Sequence, residues 1–267
     1  SDFGPVGWRR LGQDIDGEAA DDYSGMSVSL SSDGTIVAIG AHDSSANIRV
    51  FQYDGVNTWE LLGGDIVSGG QSKKVSLSSD GTIVAIAALG NKGANGRSSG
   101  NVRFFQYDGV DTWNPLGGDI DGEATDDNSG YSVSLSSDGT IVAIGAINND
   151  GNGSNSGQVR VYEYDVNKIT SDTDQSSSDF GPVGWRRLGQ DIDGETAGDQ
   201  SGYSVSLSSD GTIVAIGAIN NDIYGSNSGQ VRVFQYDGVD TWNQLDQDID
   251  GEASRDTSGF PVSLSSD

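Results

Sequence analysis

Apolar and polar residues alternate over Met26–Ser31, where Val28 and Leu30 interleave with Ser27, Ser29 and Ser31. A period of two predicts a strand with one buried face. Ser32-Asp33-Gly34 follows as a turn, with a glycine free to take a positive φ. Thr35–Ala41 is then apolar throughout and rich in β-branched residues, which predicts a strand covered on both faces. The whole stretch Ser27–Ala41 (SVSLSSDGTIVAIGA) returns as Val75–Ala88, Ser132–Ala146 and Ser204–Ala218, and its opening returns as Pro261–Asp267.

Two further strands complete each repeat. The third is Ile48–Tyr53 (IRVFQY), with copies at Val102–Tyr107, Val159–Tyr164 and Val231–Tyr236. The fourth carries a Trp followed three residues later by Leu: Trp8/Leu11, Trp59/Leu62, Trp113/Leu116, Trp185/Leu188 and Trp242/Leu245. Pro115 inside one copy places this strand on an outer edge, where a missing N–H is tolerated. No helical periodicity occurs.

The first-strand valines, Val28, Val75, Val133, Val205 and Val262, are spaced by 47, 58, 72 and 57 residues. Such intervals suit a propeller blade of four strands, which runs about 40–50 residues plus insertions. The expected fold is therefore all-β: a β-propeller of four-stranded antiparallel blades, one region spanning residues 1–267. Repeats fall at about 26–62, 74–116, 131–188 and 203–245, with partial repeats at 1–12 and 259–267 and a Ser/Thr/Asp-rich insertion at 167–178. The strand order opens on an outer strand and closes on an inner one, so the expectation is a window on a longer propeller. Ser178–Glu195 repeats Ser1–Glu18 residue for residue, which points to growth by copying multi-strand segments.

Charge narrows the partners. The 267 residues hold 14 Lys+Arg against 40 Asp+Glu, a formal net charge of −26. Nucleic acid and anionic membrane would be repelled. Cys is absent, which removes disulfides and thiol chemistry. No apolar run approaches the roughly 18 residues of a membrane helix.

The unit around Ser129–Tyr162 resembles the FG-GAP repeat of integrin α-subunit propellers. Ser129-Gly130-Tyr131 stands for Phe-Gly, Ile144-Gly145-Ala146 for the Gly-Ala end, and Gly157–Tyr162 for the last strand. Leu-Ser-Ser-Asp-Gly-Thr and Val-Arg-Val-Phe also resemble WD-repeats, and both likenesses imply a propeller. The FG-GAP likeness further implies a calcium loop between the first two strands. Here that loop is only Ser31-Ser32-Asp33-Gly34 and its copies, too few oxygens for the six to eight that Ca²⁺ takes.

Acid concentrates instead in the connection from the outer strand to the next inner strand, which carries nearly half of the 40 carboxylates. The pattern Asp-Ile-Asp-Gly-Glu gives Asp14, Asp16 and Glu18, then Asp119, Asp121 and Glu123, Asp191, Asp193 and Glu195, and Asp248, Asp250 and Glu252. In an up-and-down blade these loops share a face with the polar loops joining the second and third strands, such as Asn148–Gly157. Two readings stand side by side. The carboxylates hold divalent cations, Ca²⁺ first, or they accept backbone N–H groups in turns while Ile15 and its copies plug the core.

The remaining candidates are weaker. The Trp-x-x-Leu stripe serves blade packing or sugar stacking. Arg9-Arg10 and Arg186-Arg187 should pair with the abundant acid. His42 is the single His, and Asn152-Gly153-Ser154 is a glycosylation sequon. Near-identical loops argue against the convergence of unlike groups that catalysis needs, so the expectation is no enzyme. The expected function is an extracellular or cell-surface structural or adhesive module. It would bind a protein or glycan of the surface or matrix through its acidic loop face, with Ca²⁺ as the candidate cofactor. A carbohydrate-binding or carbohydrate-active propeller, and a self-assembling subunit of a surface filament, are the alternatives. Neither nucleic acid nor membrane insertion is expected.

Overall fold

The computed structural model describes residues 9–42, 47–67, 69 and 73–265. Trp8 and the far N-terminus lie outside the described residues. The described chain is all-β, with 19 strands in four antiparallel sheets. The first sheet is β1 (Ser27–Leu30), β2 (Ile36–Gly40), β3 (Arg49–Tyr53) and β4 (Trp59–Leu61), paired in that order. The second is β5 (Lys73–Leu77), β6 (Ile83–Ala88), β7 (Asn101–Tyr107) and β8 (Trp113–Pro115), with β9 (Ile120–Asp121) beside the start of β7. The third runs β10 (Ser129–Leu135), β11 (Ile141–Ala146), β12 (Gln158–Tyr164), β13 (Trp185–Arg187) and β14 (Ile192–Asp193). The fourth repeats this with β15 (Ser201–Leu207), β16 (Ile213–Ala218), β17 (Gln230–Tyr236), β18 (Trp242–Gln244) and β19 (Ile249–Asp250). These are the blades of a β-propeller.

The best-repeated residues build the turn that starts each blade. Ser31 Oγ donates to Asp33 Oδ1 at 2.7 Å and accepts the N–H of Ile36 at 2.9 Å. Thr35 gives the same Asp33 oxygen its N–H and its hydroxyl, at 2.9 and 2.8 Å. The second Ser links blades through its backbone. Ser32 N–H donates to Ser79 O, Ser79 N–H to Ser137 O and Ser137 N–H to Ser209 O, at 2.8, 2.7 and 2.8 Å. The serines alternating along the inner strands add a second tie, accepting N–H bonds from the next blade. Leu77 bonds Ser29 Oγ at 2.9 Å, and Leu135 bonds Ser76 Oγ and Leu207 bonds Ser134 Oγ at 3.0 Å. Leu264, in the fifth copy, reaches Ser206 Oγ at 3.0 Å in the same way.

On the rim, each described Trp donates its indole N–H to the carbonyl of the Leu of the preceding Trp-x-x-Leu copy: Trp59 to Leu11, Trp113 to Leu62, Trp185 to Leu116 and Trp242 to Leu188, at 3.0, 2.8, 3.3 and 2.7 Å. The Trp-x-x-Leu spacing is thus a hydrogen-bonded seam, with Trp113, Trp185 and Trp242 buried in the clusters between blades. Val75 and Leu77 fill the seam between the first and second blades at 6% and 7% exposure. Their counterparts Val28 and Leu30, on the leading face of the first blade, are 61% and 57% exposed.

Candidate functional site

The acidic connections are pinned more tightly than a loop reading suggests. In each of the last three blades Ile-Asp forms a short strand, β9, β14 or β19, along the outer edge. Ile120 and Ile192 drop into the core, as expected of plugs, whereas Ile249 of the last copy stays 59% exposed. Side chains alternate across a strand, so the two aspartates flanking each Ile share the opposite face. Two clamps then hold the loop. Asn95 and Asn152, from the connections between second and third strands, donate their amides to Gly122 O and Gly194 O at 2.8 and 2.9 Å. The other clamp comes from the following blade: Arg49, Arg160 and Arg232 donate Nη2 to the backbone carbonyls of Asp16, Asp121 and Asp193 at 2.7, 2.9 and 2.7 Å.

These arginines went unremarked in the sequence, yet the signal was present. Arg recurs inside every third strand (Arg49, Arg103, Arg160, Arg232) of a chain with only 14 basic residues. A cation planted at one strand position in an acidic chain marks where acid is gathered. The second repeat keeps only Asp65 of the acidic pattern, and there Arg103 turns to Asp119 of its own blade, at 2.8 Å.

The carboxylates divide by task. Asp22, Asp127, Asp199 and Asp256 cap turns, each accepting backbone N–H groups within its own loop. Asp14 pairs with Arg10 and Asp191 with Arg187. Asp193 accepts from Gln158, Glu195 from Gln230 and Asp248 from Gln244. Asp16, Glu18 and Glu252 are exposed, and Asp250 buries an oxygen that takes no hydrogen bond from the described residues. Among the described residues no three carboxylate or imidazole groups converge as metal ligands. The turn where the FG-GAP likeness implies calcium does not fit one either. Its single carboxylate is spent on Ser31 and Thr35, and its copies on the equivalent Ser and Thr.

One junction breaks the repetition. Residues 167–178 read as a low-complexity spacer, but they fold as a strap. Asp172 and Gly181 exchange backbone hydrogen bonds, and Lys168 Nζ donates to Thr170 O and Gly181 O at 2.8 and 3.0 Å. Asp172 and Asp174 accept the N–H groups two residues on, the local turns that Asp/Ser-rich sequence favours. Arg186 pairs with Asp165 and Asp179, and Arg187 donates to Gln175 O while lying over Phe180. Gln175 then reaches across to Glu123 Oε1 at 3.0 Å.

Beneath the strap is a cleft of about 650 Å³ between the second and third blades. Asp119, Asp121 and Glu123 line one side, and Asp172, Thr173 and Phe180 the other, with Arg160 and Tyr162 in the floor. Tyr162 occupies the place held by Phe51 and Phe234 in other blades, and its hydroxyl accepts from Arg160 Nη1 at 3.0 Å. Burial raises the Asp121 pKa; the N–H of Ala94 opposes this and the charge of Asp119 adds to it. Burial likewise raises Asp191 and Asp127. Burial works against the Arg160 charge, but Tyr162, Glu123 and Asp191 around it hold the guanidinium protonated. The equivalent cleft between the third and fourth blades has Asp191, Asp193, Arg232 and Phe234 but no strap, and measures about 300 Å³. The sequon residue Asn152 borders this second cleft, its amide committed to Gly194 O.

Residues 120–162 and 192–234 each match the FG-GAP repeat. Each matched segment runs from the Ile-Asp strand to the third strand of the next blade, so it contains both the acidic loop and the arginine that clamps it. The chain also resembles solved structures. A putative 6-phosphogluconolactonase from Bacteroides uniformis matches at 13% identity and a TM-score of 0.52, over 85% of this chain and 55% of that one. The periplasmic gluconolactonase of Pseudomonas aeruginosa matches at 15% identity and a TM-score of 0.50, over 84% and 56%. The chain thus spans about half the length of these structures, and the likeness is one of fold. No curated protein sequence matches the chain.

These likenesses correct the expectation of no enzyme. Both neighbours are described as lactonases, so this fold serves catalysis. The premise of near-identical loops fails as well, because the strap and Tyr162 make one junction unlike the others.

Proposed function

We propose that the protein is a carbohydrate-binding or carbohydrate-active propeller whose ligand enters the strapped cleft between the second and third blades. The observation that carries this is the gathering of unlike groups, two half-buried carboxylates, a buried Arg–Tyr pair and an aromatic edge, in a cleft of about 650 Å³. Ligand sites have this form: a concavity with a few placed polar groups that fix orientation. Carboxylates and a tyrosine hydroxyl suit a ligand rich in hydroxyls, which both donates and accepts. The tests are a glycan array and calorimetry with oligosaccharides of varied linkage. Binding that is lost when residues 167–178 are replaced by a short Gly-Ser turn supports the reading, and no binding to any glycan refutes it.

A second reading, an interaction module for a basic partner, rests on the exposed Asp16, Glu18, Asp21 and Glu252. It predicts capture of cationic proteins that weakens steeply with salt and ignores the loss of the strap.

A further inference from the structure

The cleft's charges are not balanced within it. Asp119 is answered by Arg103 at 2.8 Å. Asp121, half-buried on the same face, makes no ion pair among the described residues and takes only the N–H of Ala94. Glu123 is already answered, pairing with Arg160 at 3.8 Å and accepting from Gln175 at 3.0 Å. Arg160 is itself fully engaged, with Tyr162 OH at 3.0 Å, Asp121 O at 2.9 Å and Ser129 Oγ at 3.4 Å, so no cationic donor is left for an anionic ligand. A second feature points to a ligand independently. Tyr162 is 1% exposed and lines the cleft, and its hydroxyl accepts from Arg160 but donates to no described atom. A buried donor without an acceptor calls for one.

A ligand completing this site brings a cation for Asp121 and an oxygen acceptor for Tyr162. Resting on the carbohydrate reading above, we infer that the cleft selects an amino sugar with a free, protonated amine over neutral and acidic sugars. The ammonium sits against Asp121, and a ring or hydroxyl oxygen takes the Tyr162 proton. The field of a chain at −26 concentrates such a ligand and repels uronic, sialic and sulfated glycans. N-acetylation removes the charge and forfeits the selection.

Calorimetry with four ligands of similar length tests this: glucosamine oligomers, their N-acetylated forms, neutral gluco-oligosaccharides and pentalysine, each at low and moderate salt. The expected result is that the free-amine oligomers bind about tenfold or more tighter than the acetylated ones at low salt, the effect of one charge-assisted hydrogen bond. The gap narrows with salt. Asp121→Asn, isosteric and checked for unchanged melting, weakens the free-amine oligomers about tenfold more than the acetylated or neutral ones and so closes the gap between them. Tyr162→Phe weakens all sugars alike. Equal binding of free-amine and acetylated oligomers overturns the inference and leaves the carbohydrate reading standing. Pentalysine binding as tightly as the amino sugar also overturns it, reducing the site to cation exchange. If no oligosaccharide binds, the carbohydrate reading falls and takes the inference with it.

Discussion

Arg160 holds Asp121 by its backbone and leaves its carboxylate to the cleft. The guanidinium Nη2 meets Asp121 O at 2.9 Å across the seam between blades, while the Asp121 carboxylate makes no ion pair among the described residues. The same bond joins Arg49 to Asp16 and Arg232 to Asp193, so it is first a device of assembly. In the third blade it also floors the larger, strapped cleft.

Arg232 isolates the assembly role, since its junction lacks the strap. Arg232→Gln loses the bonds to Asp193 O and Ser201 Oγ and leaves Glu195, 3.9 Å away, without its cation. Breaking a buried charged contact costs about 3 kcal/mol, less where water reaches the partner, so a loss of roughly 2–3 kcal/mol is expected. Blades stack on their neighbours only, so denaturant should release the fourth blade before the others. Hydrogen exchange that is faster across β15–β18 and unchanged in β5–β8 meets the expectation. Uniform acceleration contradicts it.

Asp138 tests the starting turn. Asp138→Ala strips acceptors from Ser136 Oγ, Thr140 N–H and Thr140 Oγ1, bonds of 2.7, 3.0 and 2.8 Å. Loss of such a cap costs about 1–2 kcal/mol. Urea titration should show the midpoint shift with little change in slope. Asn in its place, which keeps one acceptor, should recover about half.

The aspartates also set a pH profile with two limbs. Asp121, Asp127 and Asp191 have pKa values raised by burial, so their ionised forms disfavour the folded state at neutral pH. Protonation as pH falls relieves that cost, and it relieves the self-repulsion of a chain at −26. The turn aspartates behave oppositely. The Thr35 N–H lowers Asp33, and in Asp138 the hydrogen bonds of Thr140 and Ser136 outweigh burial. Their stabilisation is complete above the ordinary value of 3.8 and is lost as pH drops through their lowered values. The melting temperature should therefore rise from pH 7 to about pH 5 and fall steeply below about 3.8. A monotonic fall from neutral pH contradicts these assignments.

Calcium separates the two readings of the acidic loops. With turn-capping oxygens spent on N–H groups and no three carboxylates converging among the described residues, millimolar Ca²⁺ should move the melting temperature no more than Mg²⁺ at equal ionic strength. A saturable, Ca²⁺-selective rise would show that the loops rearrange into a site.

The blade was legible because its information is local and repeated. Alternation in Ser27–Leu30, the apolar run of Ile36–Gly40 and the Asp-Gly turn each fix a strand or its end without reference to distant residues. The first strand expected over Met26–Ser31 is observed at Ser27–Leu30, but its copies β10 and β15 begin three residues before Ser132 and Ser204, and residues 261–265 of the fifth copy form no strand. The three Ile-Asp strands were hidden because two residues carry no period; burial of Ile120 and Ile192 pins them. The cleft was illegible for a different reason. Its parts, Asp121, Tyr162 and Gln175, come from two blades and an insertion whose composition reads as spacer. Only the meeting of Gln175 with Glu123 shows that the spacer closes over something.

The cleft itself is the central claim, and the most direct measurement is oligosaccharide binding by calorimetry to the intact chain and to a variant with residues 167–178 replaced by a short Gly-Ser turn. The strap packs on the rim, so the variant should melt within a few degrees of the parent. Saturable binding to the parent and none to the variant is the predicted result. Equal binding to both would place the site elsewhere and contradict the account.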